Sequence, residues 1–193
     1  MVTTHMYYSI LFSAIILFWA NNCSSSNNPT NGDERNADPL TIYIDTQSDF
    51  DAYKFKKFDP GTKILFKRGA IFNGEFAPIG TGTESDPVII TAYDPETLEV
   101  LLEPIDDKPV INGQGIVGSA LRIYNSSFIE INNLELTNTD GSDLDQGDLR
   151  GIHVIAQDAG IIENITVKNL YVHDVNGKVA GKQRGGIHFN VYG

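Results

Sequence analysis

The chain has 193 residues, enough for one domain and a leader. Its 41% hydrophobic content can fill a core. Its formal net charge of −11 speaks against nucleic acid as a partner.

The first distinctive stretch is apolar, "ILFSAIILFWA" from Ile10 to Ala20. It falls short of the roughly 20 residues that a membrane-spanning helix needs, and it fits the core of a signal peptide. Residues 1–23 are read as an export signal, although "MVTTHMYYS" brings no Lys or Arg. Residues 24–40 are Ser- and Asn-rich without periodicity and read as a flexible polar linker. The single cysteine, Cys23, stands at the junction and has no internal disulfide partner. Its position resembles the lipidated Cys of a bacterial lipoprotein, which would anchor the chain to a membrane. Ala20, Asn21 and Asn22 make a poor lipobox, so a cleaved signal with an incidental Cys is the alternative.

From Thr41 to Gly193 the apolar runs are short and alternating, with Asn, Asp and Gly between them. That pattern predicts many short strands. One helix is expected first, over "SDFDAYKFKKF" from Ser48 to Phe58, with Ser48 and Asp51 as a capping box. Phe50, Tyr53 and Phe58 share its apolar face, and Lys54, Lys56 and Lys57 its solvated one. Ile64–Phe66, "IFNGEF" and Val88–Tyr93 then read as strands, and "PVINGQG" as a strand and turn.

The second half repeats itself. "FIEINNLELTNT" matches "NITVKNLYVHDV" 36 residues on, and Gly151-Ile152-His153-Val154 matches Gly186-Ile187-His188-Phe189 35 residues on. "ALRI" lies 31 residues before the first of these. Repeats of this length with several short strands and no amphipathic helix predict a parallel β-helix, one repeat per coil. Asn133 and Asn169 fall at the turns, where stacked Asn side chains can bond along the axis.

Alternation then sorts the faces. Leu121 and Ile123, Ile152 and Val154, and Ile187 and Phe189 point in. Arg122, His153 and His188 form one outward row. Glu135 with Tyr171, and Thr137 with His173, form a second, and Glu130 with Thr166 a third. A row of Arg and His next to loops suits a groove for an acidic sugar. It is unfavourable as bare structure unless an anion or a carboxylate compensates it. The loop before His153 carries Asp140, Asp143, Asp145 and Asp148 and could collect a hard cation such as Ca²⁺, although its spacing is not that of an EF-hand. Arg150 either neutralises this loop or projects beside His153. His173 and Asp174 are adjacent, so alternation parts them unless the strand ends there.

"DPGTKILFKRGAIFNGEF", "GTGTESDPVIITAYD", "PVINGQG" and "RGGIHF" resemble the start of exported bacterial proteins of the pectate-lyase-like superfamily. The resemblance spans about Thr41 to Gly193. It implies an all-β, right-handed parallel β-helix with a short N-terminal helical cap, of which this chain holds only the first coils. Such folds host lyases, glycoside hydrolases and proteins without known activity. The lyases neutralise a uronate carboxylate with Ca²⁺ or a basic residue, and a base removes the adjacent proton. On that basis the expectation is an exported polysaccharide lyase acting on an acidic polysaccharide. A glycoside hydrolase, a non-catalytic glycan-binding surface module or an inactive fragment is the alternative. The expected catalytic residues are His153, His188 and Arg150. Arg122, Tyr171 and His173 are expected to contact substrate, and Asp143, Asp145 and Asp148 to hold the Ca²⁺. A monomer on the cell surface or in the periplasm is expected.

Overall fold

Short strands that alternate in hydrophobicity bury one face only when a neighbouring coil covers them, and the chain meets that demand by winding. The computed structural model describes Asp38 and residues 40–142, 147–178 and 184–193. The expected signal, most of the linker with Cys23, and Asp143 and Asp145 lie outside the described residues. The strands are β1 (Thr41–Ile44), β2 (Lys63–Lys67), β3 (Ile71–Asn73), β4 (Val88–Tyr93), β5 (Val100–Leu101), β6 (Val110–Asn112) and β7 (Ser119–Tyr124). They continue with β8 (Ile129–Asn132), β9 (Glu135–Asn138), β10 (Arg150–Gln157), β11 (Ile165–Lys168), β12 (Tyr171–Val175) and β13 (Gly185–Tyr192). A helix, α1 (Gln47–Tyr53), interrupts the first coil.

These strands sort into three open parallel sheets. Sheet I runs β1-β2-β4-β8-β11, sheet II β3-β6-β9-β12 and sheet III β7-β10-β13. Each coil visits I, II and III in turn, so the fold is an all-β solenoid of stacked parallel strands. Only β5 departs: it pairs antiparallel with β4, inside an excursion between β4 and β6. Asn132 and Asn133 tie that excursion down through the carbonyls of Leu101, Leu102 and Glu103.

The interior is filled from all three sheets. Ile64, Phe66, Ile90, Ile111, Leu121, Ile131, Leu136 and Ile152 are all fully buried. α1 closes the first coil by inserting Phe50 against Phe66, Phe72 and Phe76, stacked on Phe72 at 5.6 Å. The helix starts one residue earlier and ends five earlier than expected. Thr46, not Ser48, is its cap, and Thr46 with Asp49 makes the capping box. Phe58 is buried but lies beyond the helix, and Lys57 bridges instead to Ile79 as the start of a strand ladder.

Turns recur in register as well as strands. Asn133 and Asn169 both adopt left-handed backbone, φ 50° and 53°, where Asn is better tolerated than most residues. The turn Asn residues do bond along the axis, with a one-residue offset: Asn169 donates to Asn132 at 2.9 Å. The repeated Gly151 and Gly186 lie within strands rather than at turns. A Cβ on Gly151 would stand 2.3 Å from the Val172 side chain, so glycine recurs where sheets II and III approach closely. On β13 the core-facing positions Ile187, Phe189 and Val191 are 52%, 56% and 85% exposed, because no described strand pairs with its outer edge.

Leu121→Ala should cost about 2–5 kcal/mol, because it removes a fully buried side chain between coils. Ile71→Ala, at a position 65% exposed, should cost within ~0.5 kcal/mol. Urea unfolding of the two variants checks the contrast.

Candidate functional site

The outward face of sheet III is set by its register. Arg122 pairs with His153, and His153 with His188, which is the row that alternation predicts. Two isolated bridges extend the sheet beyond its named strands. Phe76 pairs with Leu121 and Lys57 with Ile79. Counting along these registers places Phe55 beside Ala77 and Ala77 beside Arg122, in the same row as the two histidines. The next row out holds Lys57, Ile79, Tyr124, Ile155 and Asn190.

The row is not the cationic stack that the sequence suggests. Arg122 is closed by Glu75 in a two-pronged ion pair, Nε to Oε1 at 3.0 Å and Nη2 to Oε2 at 3.1 Å. Its charge is therefore met before any substrate arrives. His153 is 7% exposed, and burial pushes its pKa below 6.5. The hydrogen bond to Asn190 opposes that shift, and the cations Arg150 and Arg122 and the neighbouring His188 add to it. His153 Nε2 lies 2.7 Å from Asn190 Oδ1. An amide oxygen only accepts, so Nε2 carries the hydrogen and Nδ1 keeps a lone pair. His188 meets the His153 ring edge-on at 5.5 Å and 80°.

Arg150 departs from its expected role. Its side chain is buried and donates to the carbonyls of Asp148 at 3.1 Å and Gly118 at 3.5 Å. Burial lowers its pKa, with Asp148 opposing. Its Nε is buried without a hydrogen-bond partner among the described residues. Asp148 accepts from Arg184 at 2.8 Å through Oδ1. Among the described residues no group of three His, Cys, Asp or Glu side chains could hold a metal.

Sheet II carries a second cluster. Tyr171 pairs with Glu135 as expected, but the register shifts between Val172 and Val175, so His173 does not pair with Thr137. Asp174 at φ 46° marks the irregularity. The irregularity does what strict alternation forbids. It brings His173 Nδ1 to 2.9 Å from Asp174 while Nε2 reaches Glu135 at 3.0 Å. Tyr171, 55% exposed, stacks on the His173 ring at 4.1 Å. Burial would lower the pKa of His173, but the bonds and charges of Glu135 and Asp174 outweigh it and raise it. Both carboxylates bond to the histidine, Glu135 partly covered and Asp174 open to solvent. On sheet I, Glu130 pairs with Thr166 and holds Lys168 at 2.7 Å.

No protein-family model matches the chain. A lacto-N-biosidase of Bifidobacterium longum subsp. longum is 28% identical over an aligned stretch of 178 residues, taking in 67% of this chain and 11% of that protein. The crystal structure of a GH136 lacto-N-biosidase from Eubacterium ramulus superposes with a TM-score of 0.59 and 22% identity. It covers 79% of this chain and 30% of its own, so the solenoid fold is shared and the chain spans a minor part of both relatives. An alginate lyase from Paenibacillus sp. str. FPU-7 gives a TM-score of 0.43 at 19% identity over 68% of this chain and 44% of that one, too loose to argue from.

The two shifted histidines act oppositely on stability. His153 has a lowered pKa, so acidification through 6.5 protonates the unfolded chain first and stability falls. His173 has a raised pKa, so its contribution is full below 6.5 and is lost as pH rises through the folded value. NMR titration should place His153 below 6.5 and His173 above it. His153→Gln should reduce the acid loss in urea unfolding, and His173→Gln should remove the acid-side gain.

Proposed function

We propose that the chain forms part of a carbohydrate-active enzyme of glycoside hydrolase type, and that the outward face of sheet III lies along a neutral glycan. The observation that carries this is the closed Arg122–Glu75 pair beside a histidine whose pKa is lowered. A uronate carboxylate calls for a cationic row to meet it. With Arg122 neutralised by Glu75 and His153 favouring its neutral form, a lyase is no longer the favoured reading. The similarity to the lacto-N-biosidase of B. longum supports a hydrolase that acts on a related neutral oligosaccharide.

Glycoside hydrolysis needs two carboxyl groups flanking the bond. Glu135 and Asp174 are held on His173, and Glu75 on Arg122, so neither catalytic carboxyl is assigned among the described residues. The proposed part of the described residues in the reaction is to hold the glycan, with the two carboxyl groups for cleavage supplied from outside them. The same coils, without partners of their own for cleavage, would serve a binding module, and turnover separates the two. The winding is right-handed in this account, since parallel strands of one sheet joined by a crossover take that hand in ≈ 98% of cases. Residues 1–23 export the chain and residues 24–40 tether it, with Cys23 as the lipid attachment point.

The test is incubation of the purified chain with a lacto-N-biose-terminated oligosaccharide and, separately, with polygalacturonate. Release of reducing sugar from the neutral glycan, without the ultraviolet absorbance of an unsaturated uronate, is the expected result. Neutral-glycan binding without turnover favours the module. Unsaturated product from polygalacturonate overturns the proposal.

A further inference from the structure

We infer that a dent in sheet III over Ala77 is a subsite for one neutral sugar ring, stacked between Phe55 and Tyr124 above the Arg122–Glu75 pair. The inference rests on the reading of this face as a glycan surface and names where a sugar sits on it.

The dent follows from the register. Phe55, Ala77 and Arg122 are consecutive members of one row, and Ala77 is the small residue between two large ones. Backbone bonds hold the three strands side by side: Ala77 N–H to Lys54 O at 2.7 Å, and Arg122 N–H to Phe76 O at 2.9 Å. A missing side chain in a continuous row leaves a hollow. A cavity of about 190 Å³ occupies that place, lined by Phe55, Ala77, Pro78, Ile79, Arg122 and Tyr124. That is smaller than the ~300 Å³ at which drug-sized ligands begin to fit, and suits a single ring. A second hollow of about 460 Å³ shares Ile79 and Tyr124 with it, so an adjoining unit of an oligosaccharide has room to continue.

The lining has the two features that a sugar needs. Phe55 is 53% exposed and Tyr124 41%, and they offer apolar surface to the C–H face of a ring. The Lys54 ammonium, paired with Asp51 at 2.8 Å, lies 5.6 Å from the Phe55 centroid. The Arg122 guanidinium is the charged group that borders this otherwise mostly apolar hollow. Arg122 spends Nε and Nη2 on Glu75, and its remaining N–H groups have no protein acceptor among the described residues. Donors without net charge match hydroxyls and reject nothing neutral, whereas a uronate would compete with Glu75 for the guanidinium. An apolar peptide side chain would leave these donors unmet.

The experiment is saturation-transfer NMR and calorimetry with lacto-N-biose and with digalacturonate, on the wild-type chain and on Phe55→Ala, Tyr124→Ala, Ala77→Leu and Ile71→Ala. Thermal melts establish that each variant folds. Removing an aromatic anchor should weaken lacto-N-biose binding about tenfold. Ala77→Leu, which fills the dent, should abolish it. Ile71→Ala, an exposed change on sheet II, should leave it unaltered. If wild type binds lacto-N-biose and the first three variants bind equally well, the subsite is wrong and the reading of the face stands. If wild type binds digalacturonate in preference, or neither sugar, both fall.

Discussion

A strand that pairs in register with its counterparts one coil below and one coil above has no freedom to choose which side chains face the core. Equivalent residues of stacked coils sit about 4.8 Å apart, so each inward position must match its neighbours in shape and each outward position forms a row. The Leu121–Ile152–Ile187 line inside sheet III and the Arg122–His153–His188 line outside it are two consequences of one pairing. The aromatic cluster around Phe50 closes the first coil, and the left-handed turns at Asn133 and Asn169 repeat because the strands they join repeat.

The electrostatics of the outer rows follow from what the register brings across. An isolated Arg–His–His row would repel; the structure resolves this with Glu75 on Arg122 and with burial that disfavours the charged form of His153. What remains is a face with donors, acceptors and exposed aromatics but little net charge along the row. That is a surface for hydroxyl-rich neutral ligands, and it turns the functional reading from acidic polymers toward neutral glycans.

The solenoid was legible because its repeats announce it: the shift of 36 residues is the observed register of sheets I and II in the second half, and the shifts of 35 and 31 are those of sheet III. The first half hid its register. The excursion that carries β5 separates Phe76 from its partner Leu121 by 45 positions, so no repeat links them and Glu75 could not be placed beside Arg122. Asn190 was within reach of simple alternation, since it shares a face with His188. The His173–Asp174 contact was not, because alternation excludes it and only the irregularity between Val172 and Val175 restores it. Gly151 is a point of contact between sheets that the repeat alone does not show. In each case local geometry overrode the period on which the sequence reading depends.

The register of sheet III is the claim from which the row, the dent and the neutral face all descend, and cysteine pairing measures it directly. Neighbouring in-register positions fall within the Cα separation of roughly 4.4–6.8 Å that a disulfide accepts, while positions one residue out of register point to opposite faces. In a Cys23→Ser background, the double variant His153→Cys, His188→Cys should oxidise readily to an internal disulfide under mild air oxidation. His153→Cys with Ile187→Cys should not. Ready closure of the second pair, with the first remaining as free thiols, would contradict the account.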